Sequence, residues 1–161
     1  MAYNLDQFCA DAHTAIAAEP GTPGREKVRG LLKKLLAHAA FIAEHLGPDL
    51  EFGVQTLYQD PEFGFRVLAH ANRPNRDNTP HDHGSTWAVY GQAMNHTEMT
   101  VWRRTDDGSG DGPEDGHAEL EQVDSYRLET GQAALYDSGV IHSLLRPLET
   151  RLVRVTTKTD S

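Results

Sequence analysis

Residues Thr79 to Gly91 read TPHDHGSTWAVYG, with His81 and His83 one residue apart between a proline and a glycine. In an extended strand alternate side chains share a face, so the two imidazoles would stand about 6–7 Å apart along the backbone and point the same way. That spacing suits two ligands of one metal ion. It also suits a polar loop with no role, so a third ligand must come from a segment distant in sequence. The stretch GQAALYDSGVIHSLLR, Gly131 to Arg146, offers one in His142, preceded by glycines where the chain must turn tightly between strands.

Working outward, residues 4–18 predict a short helix, with Leu5, Phe8, Cys9, Ala12 and Ile16 at helical spacing. The run EPGTPG breaks it, and Thr22 with Pro23 predicts the N-cap and first position of a second helix. That helix carries a stripe from Val28 through Leu31, Leu32, Leu35, Leu36, Ala39 and Ile42 to Leu46, and Gly47-Pro48 ends it. His13, His38 and His45 read as helix-face residues. After residue 49 short β-branched and aromatic runs alternate with turn signals. They predict strands near 51–58, 64–71, 81–93, 97–104, 119–128, 132–136, 140–146 and 150–158. Helices first, then many strands with no helix between them, predict an α+β chain with an antiparallel barrel or sandwich body. One domain over residues 1–161 is expected, with helices in 1–48 and the barrel in 49–161.

Composition narrows the function. The formal net charge is −9, which opposes nucleic-acid binding, because phosphate contact needs a basic face. There is no apolar run of transmembrane length and no leader pattern at the N-terminus, so neither a membrane nor export is expected. Cys9 is the only cysteine, which excludes an internal disulfide and fits a cytoplasmic setting. The segment DDGSGDGPEDG resembles a calcium loop, but its twelfth position from Asp107 is Ala118 where a Glu is needed. A solvated hairpin loop is the better reading. His70, in VLAHAN, reads as a satisfied strand histidine, and Glu98 lies too far along the chain to replace a ligand.

The stretch from Gly131 to Arg146 resembles the second sequence motif of the cupins: a glycine, five residues, a proline, one residue, a glycine, two residues, a histidine, three residues, an asparagine. Gly131, Gly139 and His142 keep that spacing, while Asp137 replaces the proline and Arg146 the asparagine. His81 and His83 match the start of the first cupin motif. Its glutamate position falls on Ala88, or Trp87 in the shorter variant, and its glycine on Asn95, a residue that also tolerates a left-handed turn. The resemblance implies a double-stranded β-helix, a jelly-roll barrel preceded by two N-terminal helices. It further implies a metal held by His81, His83 and His142 without a carboxylate.

A three-imidazole set leaves a divalent ion with its full charge, and among cupins the chain resembles the thiol dioxygenases, the cysteine dioxygenase-like family. The strings PHDHGSTW and LYQDPEFGFRVLAHANRPN carry that likeness over most of the chain. It implies Fe(II), with Zn, Ni or Mn chemically open, a small thiol or carboxylate substrate, O2 as co-substrate, and a homodimer. A family position twenty-six residues before the first histidine binds the substrate carboxylate and corresponds to Gln55. Tyr58, Trp87 and Arg154 are the other expected substrate contacts, Arg154 because a guanidinium fork suits a carboxylate. The family's Ser-x-His-x-Tyr string on the last strand corresponds to Leu152, Arg154 and Thr156, so it is absent, and its crosslinked cysteine corresponds to Ala88. Two rival readings follow: a non-catalytic cupin that binds a small ligand or senses metal, or a cupin enzyme acting through another metal on a non-thiol substrate.

Overall fold

Asn4 starts the first helix, α1 (Leu5–Ala18). Its side chain accepts from the Gln7 backbone at 2.9 Å, and the Gln7 side chain accepts from the Asn4 backbone at 3.1 Å, a reciprocal cap that satisfies two donors. The computed structural model describes residues 3–76, 79–81, 86–105 and 120–157. α2 (Thr22–Leu36) is capped by Gly21, so Thr22 is its first residue and not the N-cap expected. The stripe read as one helix is in fact two, because α3 (Ala39–His45) follows a break at Ala37 and His38. No glycine or proline marks that break. His38 is extended, at φ −99° and ψ 112°, and this re-aims the chain so that Phe41 and Leu46 enter the core. No described helix is long and apolar enough to cross a membrane.

Eight strands follow: β1 (Gly53–Gln59), β2 (Phe65–Asn72), β3 (Ala88–Met94), β4 (His96–Arg104), β5 (Leu120–Glu129), β6 (Ala133–Tyr136), β7 (Ile141–Leu145) and β8 (Thr150–Thr157). All described pairs are antiparallel, in a sheet of order β1-β2-β8-β3-β6 and a sheet of order β5-β4-β7. An isolated bridge between His81 and His142 adds a segment beside β7. From β2 onward the chain therefore visits the sheets in the sequence first, second, first, second, second, first, second, first. That alternation is a jelly roll, two antiparallel sheets wound together. The expected strand bounds hold within two residues, except that 81–93 contains a bridge at His81 and a strand only from Ala88. Residues 82–85, and the loop 106–116, lie outside the described residues.

The five-stranded sheet has two unlike faces. One packs under the helices: Phe65, Val67, Ala69, Val89, Val153 and Val155 meet Phe8, Val28, Leu32 and Leu35 in one buried cluster. The other faces the second sheet, where Ala88, Tyr90, Met99, Leu128, Tyr136 and Leu152 form a smaller cluster. Burial of each aliphatic side chain contributes roughly 1.5–3 kcal/mol, so the helix side carries most of the hydrophobic stabilisation. The barrel interior carries the polar groups.

Candidate functional site

His81 and His142 exchange both backbone hydrogen bonds across their bridge, at 2.9 and 2.8 Å. Residues paired this way put their side chains on one face, and the two rings meet edge-on with centroids 4.6 Å apart. His142 is fully buried. Its ring lies 4.2 Å from the Tyr136 ring and 6.2 Å from that of Tyr90, so it points into the barrel. The His81 Nδ1 lies 3.2 Å from the Thr79 carbonyl. A carbonyl only accepts, so in that contact Nδ1 is the donor, and a metal would be met by Nε2. The pair thus fits two imidazole positions of one ion. Among the described residues no group of three His, Cys, Asp or Glu is gathered for a metal. The third expected ligand, His83, lies outside the described residues.

Around the pair stand phenols. The Tyr126 and Tyr136 hydroxyls are 2.5 Å apart, and Tyr90 packs edge-on to Tyr136 at 5.7 Å. Burial above all, with each other's proximity, pushes the Tyr136 phenol far above its ordinary value, and burial raises Tyr126 as well. Both stay protonated. Nothing in the sequence reading singled out these tyrosines. Their signal was alternation: Tyr90 and Tyr136 sit at inward positions of strands that flank the last strand and the His142 turn.

The expected substrate contacts divide by sheet face. Arg154 is opposite Leu68 and Tyr90, which places it on the barrel side. Leu152 and Thr156, at the alternate positions, share that side. Gln55 is opposite Ala69, a member of the helix-side core, and lines a groove of about 220 Å³ with Ala43, His45, Gly47, Pro48 and Leu50. It is not in the barrel. A one-residue change of register moves a side chain to the other face, and the β1–β2 ladder shifts between Thr56 and Tyr58. Tyr58 is likewise on the helix side, opposite Val67, and donates to Asp60 at 3.0 Å. Trp87 belongs to the helix-side core, with the Arg25 guanidinium 5.6 Å over its ring. Of the four expected contacts Arg154 faces the barrel interior, while Gln55, Tyr58 and Trp87 lie on the helix side. His70, read as satisfied, is also revised: its buried Nε2 has no hydrogen-bond partner.

The departures from the cupin string have structural reasons. Asp137 accepts from the Thr22 hydroxyl and pairs with Arg25, so it fastens the first turn of α2 to the turn before β7. Burial pushes its carboxyl up, but these bonds and one from the Ser138 N–H outweigh that and hold it below the usual range. Gly139 has φ 79° and Asn95 φ 58°, the left-handed turns that the motif resemblance implied. Asp60 anchors another turn. It accepts from His13 at 2.7 Å, from Phe63 N–H at 2.7 Å and from Tyr58.

No protein-family model matches the chain, and no curated protein does. Solved structures similar to it include the cupin domain of Cnp3 from Schizosaccharomyces pombe, at 9% identity, 70% of this chain, 71% of that chain and TM-score 0.48. A cupin-2 domain protein from Shewanella frigidimarina is similar at 10% identity, 68% and 84% coverage and TM-score 0.46. KdgF from Halomonas sp. is similar at 15% identity, 70% and 87% coverage and TM-score 0.45. The fold is a double-stranded β-helix of jelly-roll type, as the strand order shows, and the barrel is preceded here by three helices.

Proposed function

We propose that this cupin is a metal-dependent oxidoreductase of the thiol-dioxygenase type, acting on a small thiol carboxylate. The observation that supports it most is the His81–His142 pair, joined by a backbone bridge with rings 4.6 Å apart at a buried point of the barrel. His81, His83 and His142 would hold Fe(II). The iron supplies the redox chemistry that lets a thiolate and O2 combine. In the reaction the sulfur gains both oxygen atoms and loses four electrons, O2 accepts those four, and the thiol proton goes to solvent.

The chain's own residues divide the remaining work. Tyr90 and Tyr136 pack beside the His142 ring and shield it from water. The Tyr126–Tyr136 hydroxyl pair holds a proton beside the His142 ring. Arg154, next to Tyr90, offers a guanidinium to a carboxylate at the far end of the substrate. The test is anaerobic Fe(II) loading followed by oxygen uptake. Uptake is expected with cysteine and 3-mercaptopropionate and should be much weaker with cysteamine, which lacks a carboxylate. Absence of uptake with every thiol overturns the proposal.

A second reading, a barrel that binds a small anion without turning it over, draws support from Leu152, Arg154 and Thr156, where the family's Ser, His and Tyr would stand. Native mass spectrometry separates the two, since an intact metabolite that copurifies and is never converted favours binding.

A further inference from the structure

The chain has 24 acidic residues and 15 basic ones, yet three basic side chains inside the barrel have no acidic partner among the described residues. Arg154 projects inward from β8. Arg146 follows Leu144 and His142 at the alternate positions of β7 and is bridged to Asn75, just past the end of β2. His70, on β2 opposite Leu152, stands on the same inner face, diagonal to Arg154. The Nε atoms of Arg146 and Arg154 and the Nε2 of His70 are shut off from solvent and make no hydrogen bond. None of the three residues belongs to an ion pair among the described residues.

Such a group is costly. An unsatisfied buried donor costs about 1–3 kcal/mol, more when charged, and like charges held together in a poorly solvated space add to it. Burial, then the two guanidiniums, drives the His70 pKa down to about 3, so the imidazole stays neutral and leaves the positive charge on the arginines. Folded proteins leave few buried polar groups unpartnered, and the exceptions cluster where something else binds. An open recess of about 420 Å³, lined by Phe52, Asn72, Arg73, Asn75 and Arg146 among others, reaches Arg146 from outside. On the inner face of the sheet Arg154 is opposite Tyr90, whose ring centroid is 6.2 Å from that of His142.

We infer that Arg146, Arg154 and His70 form an anion site inside the barrel that takes a small organic dianion of the dicarboxylate class. Two guanidinium forks with no acidic partner among the described residues match two carboxylate groups, each flat enough to accept a pair of parallel N–H bonds. A single carboxylate would leave one charge uncompensated. The neutral His70 adds one N–H donor. Within the proposed function this narrows the substrate to a thiol bearing two carboxylates, and to that extent it rests on that reading. The site itself needs no metal.

The experiment uses the full chain after metal removal with EDTA. Succinate, malonate, acetate and inorganic phosphate are titrated by calorimetry and by thermal shift. Succinate or malonate is expected to bind at least tenfold more tightly than acetate. Arg146→Gln and Arg154→Gln should each weaken that binding at least tenfold, while Arg29→Gln on α2 leaves it unchanged. Without ligand, Arg154→Gln should hold or raise Tm, because it removes an uncompensated cation. Dicarboxylate binding that survives both substitutions overturns the inference, as does tighter binding of phosphate or no binding at millimolar concentration. A large fall in Tm of ligand-free Arg154→Gln also overturns it, since it would reveal a protein partner. Failure of oxygen uptake with dicarboxylate binding intact would remove the proposed reaction and leave this site standing. Uptake without dicarboxylate binding would do the reverse.

Discussion

One strand shows two kinds of surface. On β8, Val153 and Val155 are fully buried against the helices, while Leu152, Arg154 and Thr156 between them face the second sheet. The same alternation runs through β2, with Val67 and Ala69 on one side and Leu68 and His70 on the other. The helix side is filled by aliphatic chains whose only task is packing. The barrel side mixes tyrosines, histidines and unpaired arginines, a composition that stability alone would not select. Stability and chemistry are thus separated by the pleat and not by distance, and substitutions one residue apart should have opposite signatures.

The largest contrast is expected at His142. On the proposed function, His142→Gln should lower metal content to background and oxygen uptake by about a thousandfold, while urea unfolding of the metal-free protein changes little. An equal loss of stability in the metal-free state would mean that His142 is packing, and the contrast would collapse. Across the sheet, Leu32→Ala should show the reverse. It removes a fully buried side chain at the helix–sheet contact, at a cost of about 2–5 kcal/mol. Chemical denaturation measures it, and the metal content of the folded fraction should be unchanged.

A smaller effect concerns acid. His70 has a folded pKa of about 3, below its unfolded value near 6.5. The unfolded chain therefore binds the extra proton, and the contribution of His70 to stability falls as pH drops from 6.5 toward 3. The slope approaches about 1.4 kcal/mol per pH unit. His70→Gln should flatten that part of the pH–stability curve, and an unchanged slope would show that the imidazole is solvated.

The smallest effect belongs to His13 and Asp60 at the helix–turn contact. The hydrogen bond to Asp60 raises His13. Burial pushes Asp60 up, but the Phe63 N–H, His13 and Tyr58 hold it below the ordinary carboxylate value. Stability from His13 is present below its unfolded pKa and is lost as pH rises through the raised one. That from Asp60 is present above its unfolded pKa and is lost as pH falls through the lowered one. His13→Ala should cost most between about pH 4 and 6.5 and little in alkali. A cost independent of pH would reduce the pair to simple packing.

The strands were legible because β-branched runs and turn residues punctuate them. So were the left-handed positions at Gly139 and Asn95, which the resemblance to the cupin motifs located. The break at Ala37 and His38 was not, because no residue there opposes a helix and the cause is the burial of Phe41 and Leu46. That Gln55, Tyr58 and Trp87 lie on the helix side was not legible either. Counting from a distant histidine cannot register a shift such as that between Thr56 and Tyr58, and β pairing is what fixes the face. Arg146 and His70 escaped for a different reason. A sequence shows a charge but not the absence of its counter-charge.

The bond from Thr22 and Arg25 to Asp137 joins the start of α2 to the bend that launches β7. Trimming the chain ahead of residue 26 would therefore leave every barrel strand whole and still cut the tether that sets where His142 enters the interior. The amino-terminal layer is then a brace for the histidine as much as a cover for the sheet.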